Sequence, residues 1–163
     1  MAKTEQLQIR VSAEEKSLIR ARATQAGVGM SDWVLLQLFP PVEVRFRECL
    51  EALVADPDRV SFTLAALHDL LAGLSGQQIT HGLRNPPGVS LPPFEANYVA
   101  AMVEFAAMAQ GVSPPAWTRD VPPLDRPWFG TDLMSLRLHL LTNSPAAFRR
   151  RNIFIDTSVG GRV

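Results

Sequence analysis

Gln6–Phe39 reads QLQIRVSAEEKSLIRARATQAGVGMSDWVLLQLF and opens on strict alternation. Leu7, Ile9 and Val11 point one way, while Gln6, Gln8 and Arg10 point the other. That is the period of a strand with one buried and one exposed face. Two amides and a guanidinium on the exposed face are the groups that hydrogen-bond base edges in a major groove, Gln to adenine and Arg to guanine. A single short strand is not stable alone and must pair with something.

Working outward, Ser12-Ala13-Glu14-Glu15 is a capping box: Ser12 accepts from the amide of Glu15, whose carboxylate reaches back to Ser12. The helix it starts carries Leu18 and Ile19 and runs to Ala26, with Gly27 as a left-handed cap. Ser31-Asp32 is expected to start a second helix with Trp33, Val34, Leu36 and Leu38, which Pro40-Pro41 ends. One strand and two helices in so short a stretch cannot bury this apolar surface as a monomer. An identical strand from a second chain is the expected partner.

These residues resemble the ribbon-helix-helix DNA-binding domains of the Arc-like and MetJ-like class. The resemblance covers about the first quarter of the chain. It rests on the alternation Gln6-Leu7-Gln8-Ile9-Arg10-Val11, the Ser12–Glu15 helix start, the Ala26-Gly27-Val28 break and the Ser31-Asp32 start. It implies a homodimer whose two-stranded ribbon enters the major groove of double-stranded DNA. By position, Gln6, Gln8 and Arg10 would face bases, and Ser31 and Asp32 would place helix N-terminal amides against a phosphate. Asp32 departs mildly from that pattern, because a carboxylate beside a phosphate repels.

The chain has 163 residues, 47% of them hydrophobic, with 16 basic and 16 acidic residues. That suits one domain or two small ones with a real core. Zero net charge removes a chain-wide basic field, so nucleic-acid affinity must come from local groups or dimerisation. One cysteine, Cys49, excludes an intramolecular disulfide and a cysteine-based metal cluster. No apolar run reaches a membrane span and the N-terminus has no signal-type core, so a cytoplasmic location is expected.

Beyond the ribbon the chain reads as helices separated by proline-rich runs. Residues 41–55 place Val42, Phe46, Cys49, Leu50 and Leu53 at helical spacing, and Val60, Leu64, Leu67, Leu70 and Leu71 mark the next stripe. Ser75–Leu83 is a weaker helical segment. Residues 84–93 form a loop, after which Phe94–Gln110 is apolar on nearly all sides and therefore buried. Residues 111–128 form a second proline-rich loop, long enough to need pinning. Trp117, Trp128 and Phe129 either pin it to the core, the commoner use, or anchor a partner.

Thr131-Asp132 is expected to cap a helix with Leu133, Leu136, Leu140 and Leu141, and Ser144 to cap a short turn begun by Pro145. Arg149, Arg150 and Arg151 follow, then Ile153-Phe154-Ile155. Consecutive arginines at a helix end suit the macrodipole, and equally an acidic partner with Phe154 in the buried part of the contact. His68, His81 and His139 share no ligand spacing, and no catalytic constellation, metal site or cofactor motif is present.

The expected architecture is therefore mainly α. Residues 1–41 form a ribbon-helix-helix domain for DNA binding and dimerisation, and 42–163 a helical partner-binding domain. The pairing of such a domain with a partner-binding region resembles type II antitoxins. That likeness implies a non-enzymatic homodimer that represses its own operon and neutralises a cognate toxin, although this C-terminal region exceeds the short tail usual there. The alternative is a ligand-responsive repressor whose helical domain senses a small molecule.

Overall fold

The computed structural model describes residues 8–156 and divides at Pro41/Val42 into two compact units. In the first unit α1 spans Ala13–Gln25 and α2 Met30–Leu38. The capping box at the start of α1 is formed: the Glu15 amide donates to Ser12 Oγ at 3.2 Å and the Ser12 amide to Glu15 Oε2 at 2.7 Å. At the other end Gly27 sits at φ +69°, where a residue without Cβ is unstrained. The Val28 amide reaches the Ala23 carbonyl at 3.1 Å and the Gly27 amide the Thr24 carbonyl at 3.1 Å, the paired bonds of a Schellman stop.

Two details of this unit differ from expectation. The second helix starts a residue early, with Gly29 as its cap and no side-chain capping bond, so Ser31 and Asp32 lie inside its first turn. Residues 8–12 carry no strand; Gln6 and Leu7 lie outside the described residues. A ribbon strand takes its ladder of hydrogen bonds from a second chain, and one chain has none to offer it.

The second unit contains α3 (Val42–Ala55), α4 (Val60–Ala72), α5 (Gly76–Gly82), α6 (Pro93–Ala109), α7 (Met134–Asn143) and the short α8 (Ala146–Arg149). Two-residue strands β1 (Trp128–Phe129) and β2 (Ile153–Phe154) pair in parallel, Trp128 opposite Ile153 and Phe129 opposite Phe154. The sequence carries no sign of this small sheet, because alternation over two residues leaves no periodic signal. The fold is mainly helical all the same.

Helix α6 is the axis of the unit. Pro93 opens it at a position where a missing N–H costs nothing. Its Val99, Ala100, Ala101, Val103 and Ala107 have no solvent exposure, and the alanines let neighbouring helices approach closely. Leu50 of α3, Leu67 of α4, Ile79 of α5 and Ile153 of β2 join them in one apolar cluster. Helix α5, the weak segment in the sequence, gains its own capping box: Gln78 donates its amide to Ser75 Oγ and its Oε1 accepts from the Ser75 amide at 2.9 Å.

The long loop at 111–128 is pinned, not free. Its middle, Ala116–Asp120, forms a tight 3-10 turn, and Trp117 Nε1 donates to the Leu83 carbonyl at 2.8 Å. Asn97 Nδ2 donates to the Pro122 carbonyl and Asn152 Nδ2 to the Leu124 carbonyl. Asn152 itself, at φ +59°, turns the chain from α8 into β2; its short polar side chain tolerates that region.

Near the C-terminus two caps differ from the sequence reading. Helix α7 begins at Met134 with Leu133 in the cap position, while Thr131 Oγ1 accepts from the Leu133 amide at 3.2 Å. Ser144 closes α7 rather than starting α8. Its buried hydroxyl lies 2.7 Å from both the Leu140 and Ile155 carbonyls, tying the helix to the strand segment.

Candidate nucleic-acid interface and partner surfaces

In the first unit Gln8 and Arg10 are exposed, as are Ile9 and Val11 of the same alternation, and Gln6 lies outside the described residues. Ser31 and Asp32 are exposed in the first turn of α2, where backbone amides at a helix start carry partial positive charge. Glu15 ionises below the usual carboxylate range because the Ser12 backbone amide, and then its hydroxyl, hydrogen-bond the charged form. The apolar side chains of this unit are in a different condition. Among its described residues only Ala23 is buried, while Leu18 is 59%, Leu38 55% and Phe39 73% exposed.

The C-terminal residues expected to bind a partner divide into two groups. Trp117 is buried against Phe46, ring centroids 6.3 Å apart, and belongs to the core. Phe154 and Arg151 are buried as well. Arg151 therefore does not join its two neighbours at the surface. It reaches inward to Glu104 of α6, Nη2 to Oε1 2.6 Å, and also donates to Asn97 Oδ1 and to the Thr118 and Val121 carbonyls. Its Nε is buried without a partner among the described residues. A guanidinium taken out of water needs this many acceptors, and it fastens α6, the proline-rich loop and α8 at one point.

The other group is exposed, apart from the half-buried Phe129. Trp128 is 40% exposed and packs its ring on Phe94 at 4.8 Å. Phe129 stacks on Phe154 at 5.0 Å and has the Arg137 guanidinium over its ring at 4.9 Å. Arg149 and Arg150 are exposed, each bonded to a backbone carbonyl of the chain, Thr142 and Ala146.

Sequence reasoning missed α7 as a surface. Leu133, Met134, Leu136, Leu138 and Leu141 are all exposed, and Leu140 is the buried contact of the helix. The signal was present in MSLRLHLL, whose apolar residues cannot all share one helix face.

Two further features have simpler accounts. Burial pushes the Cys49 thiol and the Tyr98 phenol above their ordinary values, as expected of groups that pack rather than react. No cluster of three potential metal ligands occurs among the described residues. No helix among them is long and apolar enough to cross a membrane. An open cavity of about 430 Å³ lies under the first proline-rich loop, lined by Pro86, Val89, Leu91 and Trp117, with Arg84 and Asp120 as its charged groups.

Compared with known proteins, the chain matches no curated protein and no solved structure. Residues 1–39 match the NikA-like family, described as mobilization protein NikA. That is similarity over the N-terminal unit alone.

Proposed function

We propose that this protein is a homodimer that binds double-stranded DNA through its N-terminal unit, and that its C-terminal unit receives a protein partner. The form of this proposal closest to the sequence is an antitoxin: a repressor of its own operon that neutralises a cognate toxin. The observation that carries the homodimer is the unburied apolar surface of the first unit. Leu18, Leu38 and Phe39 have no core within their own unit, and a second copy covering them is the economical solution. The family match over residues 1–39 supports a DNA-facing role for the same segment, since mobilization is an operation on DNA.

The partner half rests on the exposed Trp128, Arg149 and Arg150. The closed core around α6 and the buried Arg151–Glu104 pair favour instead a unit that is formed without a partner, as a sensor is. A second reading is favoured by the cavity at Pro86–Val121, whose volume lies in the range of small-molecule sites. On that reading the unit is a sensor, and a metabolite alters DNA affinity.

Substituting Gln8 and Arg10 by alanine tests the DNA half. Sequence-specific affinity for the DNA upstream of the gene should fall by about 1–3 kcal/mol for each side chain that no longer pairs with a base, with the dimer intact. Unchanged specific affinity in both variants would sink the base-contact assignment.

A further inference from the structure

We propose that the cavity between the two proline-rich runs of the C-terminal unit binds a zwitterion with a large apolar body, the chemistry of a free apolar α-amino acid or a short apolar peptide. The assignment rests on the sensor reading of that cavity and adds the class of its ligand. The cavity, of about 430 Å³, is walled by Pro86, Val89 and Leu91 from one run and by Trp117 and Val121 from the other. Its size falls in the lower part of the range for small-molecule sites, which suits an amino acid or a dipeptide.

Charge selects the kind of ligand. The lining has two charged groups, Arg84 from the first run and Asp120 from the second. Both are exposed, and neither forms an ion pair or a side-chain hydrogen bond among the described residues. Trp117 is the other side chain of the lining with a polar atom, and its Nε1 is already taken by the Leu83 carbonyl at 2.8 Å. The side chains therefore offer a ligand one cation, one anion and apolar surface.

A ligand seated on this surface displaces water from both charges, and each then needs a partner of opposite sign. An apolar carboxylate or a phosphate ester would match Arg84 and bring its own charge against Asp120. An amine would do the reverse, and a neutral apolar molecule would leave both unmatched. A zwitterion matches the two at once.

The walls are fixed before a ligand arrives. Trp117 ties the second run to Leu83, the residue before Arg84. Arg151 Nη1 donates to the Val121 carbonyl at 3.3 Å and Asn97 Nδ2 to the Pro122 carbonyl at 2.9 Å. Pro86 and Pro87 stiffen the other wall, because the proline ring locks φ. The buried Arg151–Glu104 pair thus holds the Asp120 side of the cavity in place, and a preformed site loses little ordering entropy on binding.

Calorimetry on the full chain with phenylalanine, hydrocinnamate and phenethylamine tests the assignment. The three share a phenyl body and carry, in turn, both charges, the carboxylate alone and the ammonium alone. Phenylalanine or its dipeptide should bind, and each singly charged analogue should be weaker by about fivefold, the upper end for exposed ion pairs. Arg84→Ala should erase the preference over phenethylamine, and Asp120→Ala the preference over hydrocinnamate; both side chains are exposed, so neither change disturbs the core. Phenylalanyl-phenylalanine separates the two sources: binding tighter than that of phenylalanine identifies a peptide, and weaker binding a free amino acid. No binding of either zwitterion, or an analogue as tight as the zwitterions, overturns the assignment. An equally tight analogue still leaves the cavity a small-molecule site, so the sensor reading survives that result. DNA affinity is measured with and without the bound zwitterion. Binding that leaves DNA affinity unchanged removes the sensor reading and upholds the ligand class.

Discussion

Arg151→Met isolates the energetic centre of the C-terminal unit. The Arg151 and Glu104 side chains are 6% and 9% exposed, so neither charge retains appreciable contact with water. Removing the arginine strands the Glu104 carboxylate in the core and withdraws donors from Asn97 Oδ1 and the Thr118 and Val121 carbonyls. Breaking one side of a buried pair costs about 3–5 kcal/mol. That is a large share of the 5–15 kcal/mol or so available to a domain.

With a urea slope near 2 kcal/mol/M the unfolding midpoint should drop by roughly 2 M. Fluorescence of a Trp33→Phe variant reports on this unit, since buried Trp117 then dominates with Trp128. The double change E104L/R151M exchanges the pair for apolar groups and should recover most of the loss, or exceed wild type by about 1–4 kcal/mol. A loss below about 1 kcal/mol for Arg151→Met, or a double variant as unstable as the sum of its singles, would refute the reasoning.

Three other outcomes follow from particular contacts. Gly27→Ala meets no atom within 4 Å, so its cost is the backbone alone at φ +69°, about 1–2 kcal/mol in unfolding of the first unit; Gly27→Asn should recover part of it. Tyr98 has a folded pKa above its unfolded value, so its stability contribution is intact below the ordinary phenol pKa and declines as pH rises toward the folded value. Thermal midpoints should fall between about pH 9 and 11, and less steeply in Tyr98→Phe, where an identical slope would remove the assignment. Leu18→Glu should shift sedimentation equilibrium from dimer toward monomer, because the side chain is 59% exposed in the single chain and its burial is assigned to the second copy.

Much of the helical architecture was legible because capping and periodicity are local. Ser12–Glu15 and Ala26-Gly27-Val28 specify both ends of α1, and the all-round apolar pattern of 94–110 marks α6 as buried. Long-range pairing was not legible. Glu104 lies unremarked inside that apolar helix, and nothing in the sequence pairs it with Arg151, 47 residues away, rather than with Arg149 or Arg150. The choice is made by α8 and the turn at Asn152, which aim one arginine inward and leave two outside.

Helix α7 hides for a related reason. Leu136, Leu138 and Leu140 alternate with Arg137 and His139 at the period of a strand, and folding this run as a helix scatters its apolar groups around the axis. The paired strands β1 and β2 depend on contacts between distant segments, held by the Trp128 amide to Asn152 carbonyl bond at 2.8 Å. The candidate DNA-reading residues are a different case. They rest on side-chain chemistry and alternation, and exposure does not single out Gln8 and Arg10, because Ile9 and Val11 on the other side of the alternation are exposed as well.

The most direct measurement is a titration of the full-length protein, at fixed salt, onto the DNA upstream of its own gene and onto a scrambled duplex of equal length. Saturable binding that prefers the upstream DNA, with chains taken up in pairs, is the result expected of a dimeric sequence reader. Equal affinity for both duplexes, or uptake of single chains, would contradict it.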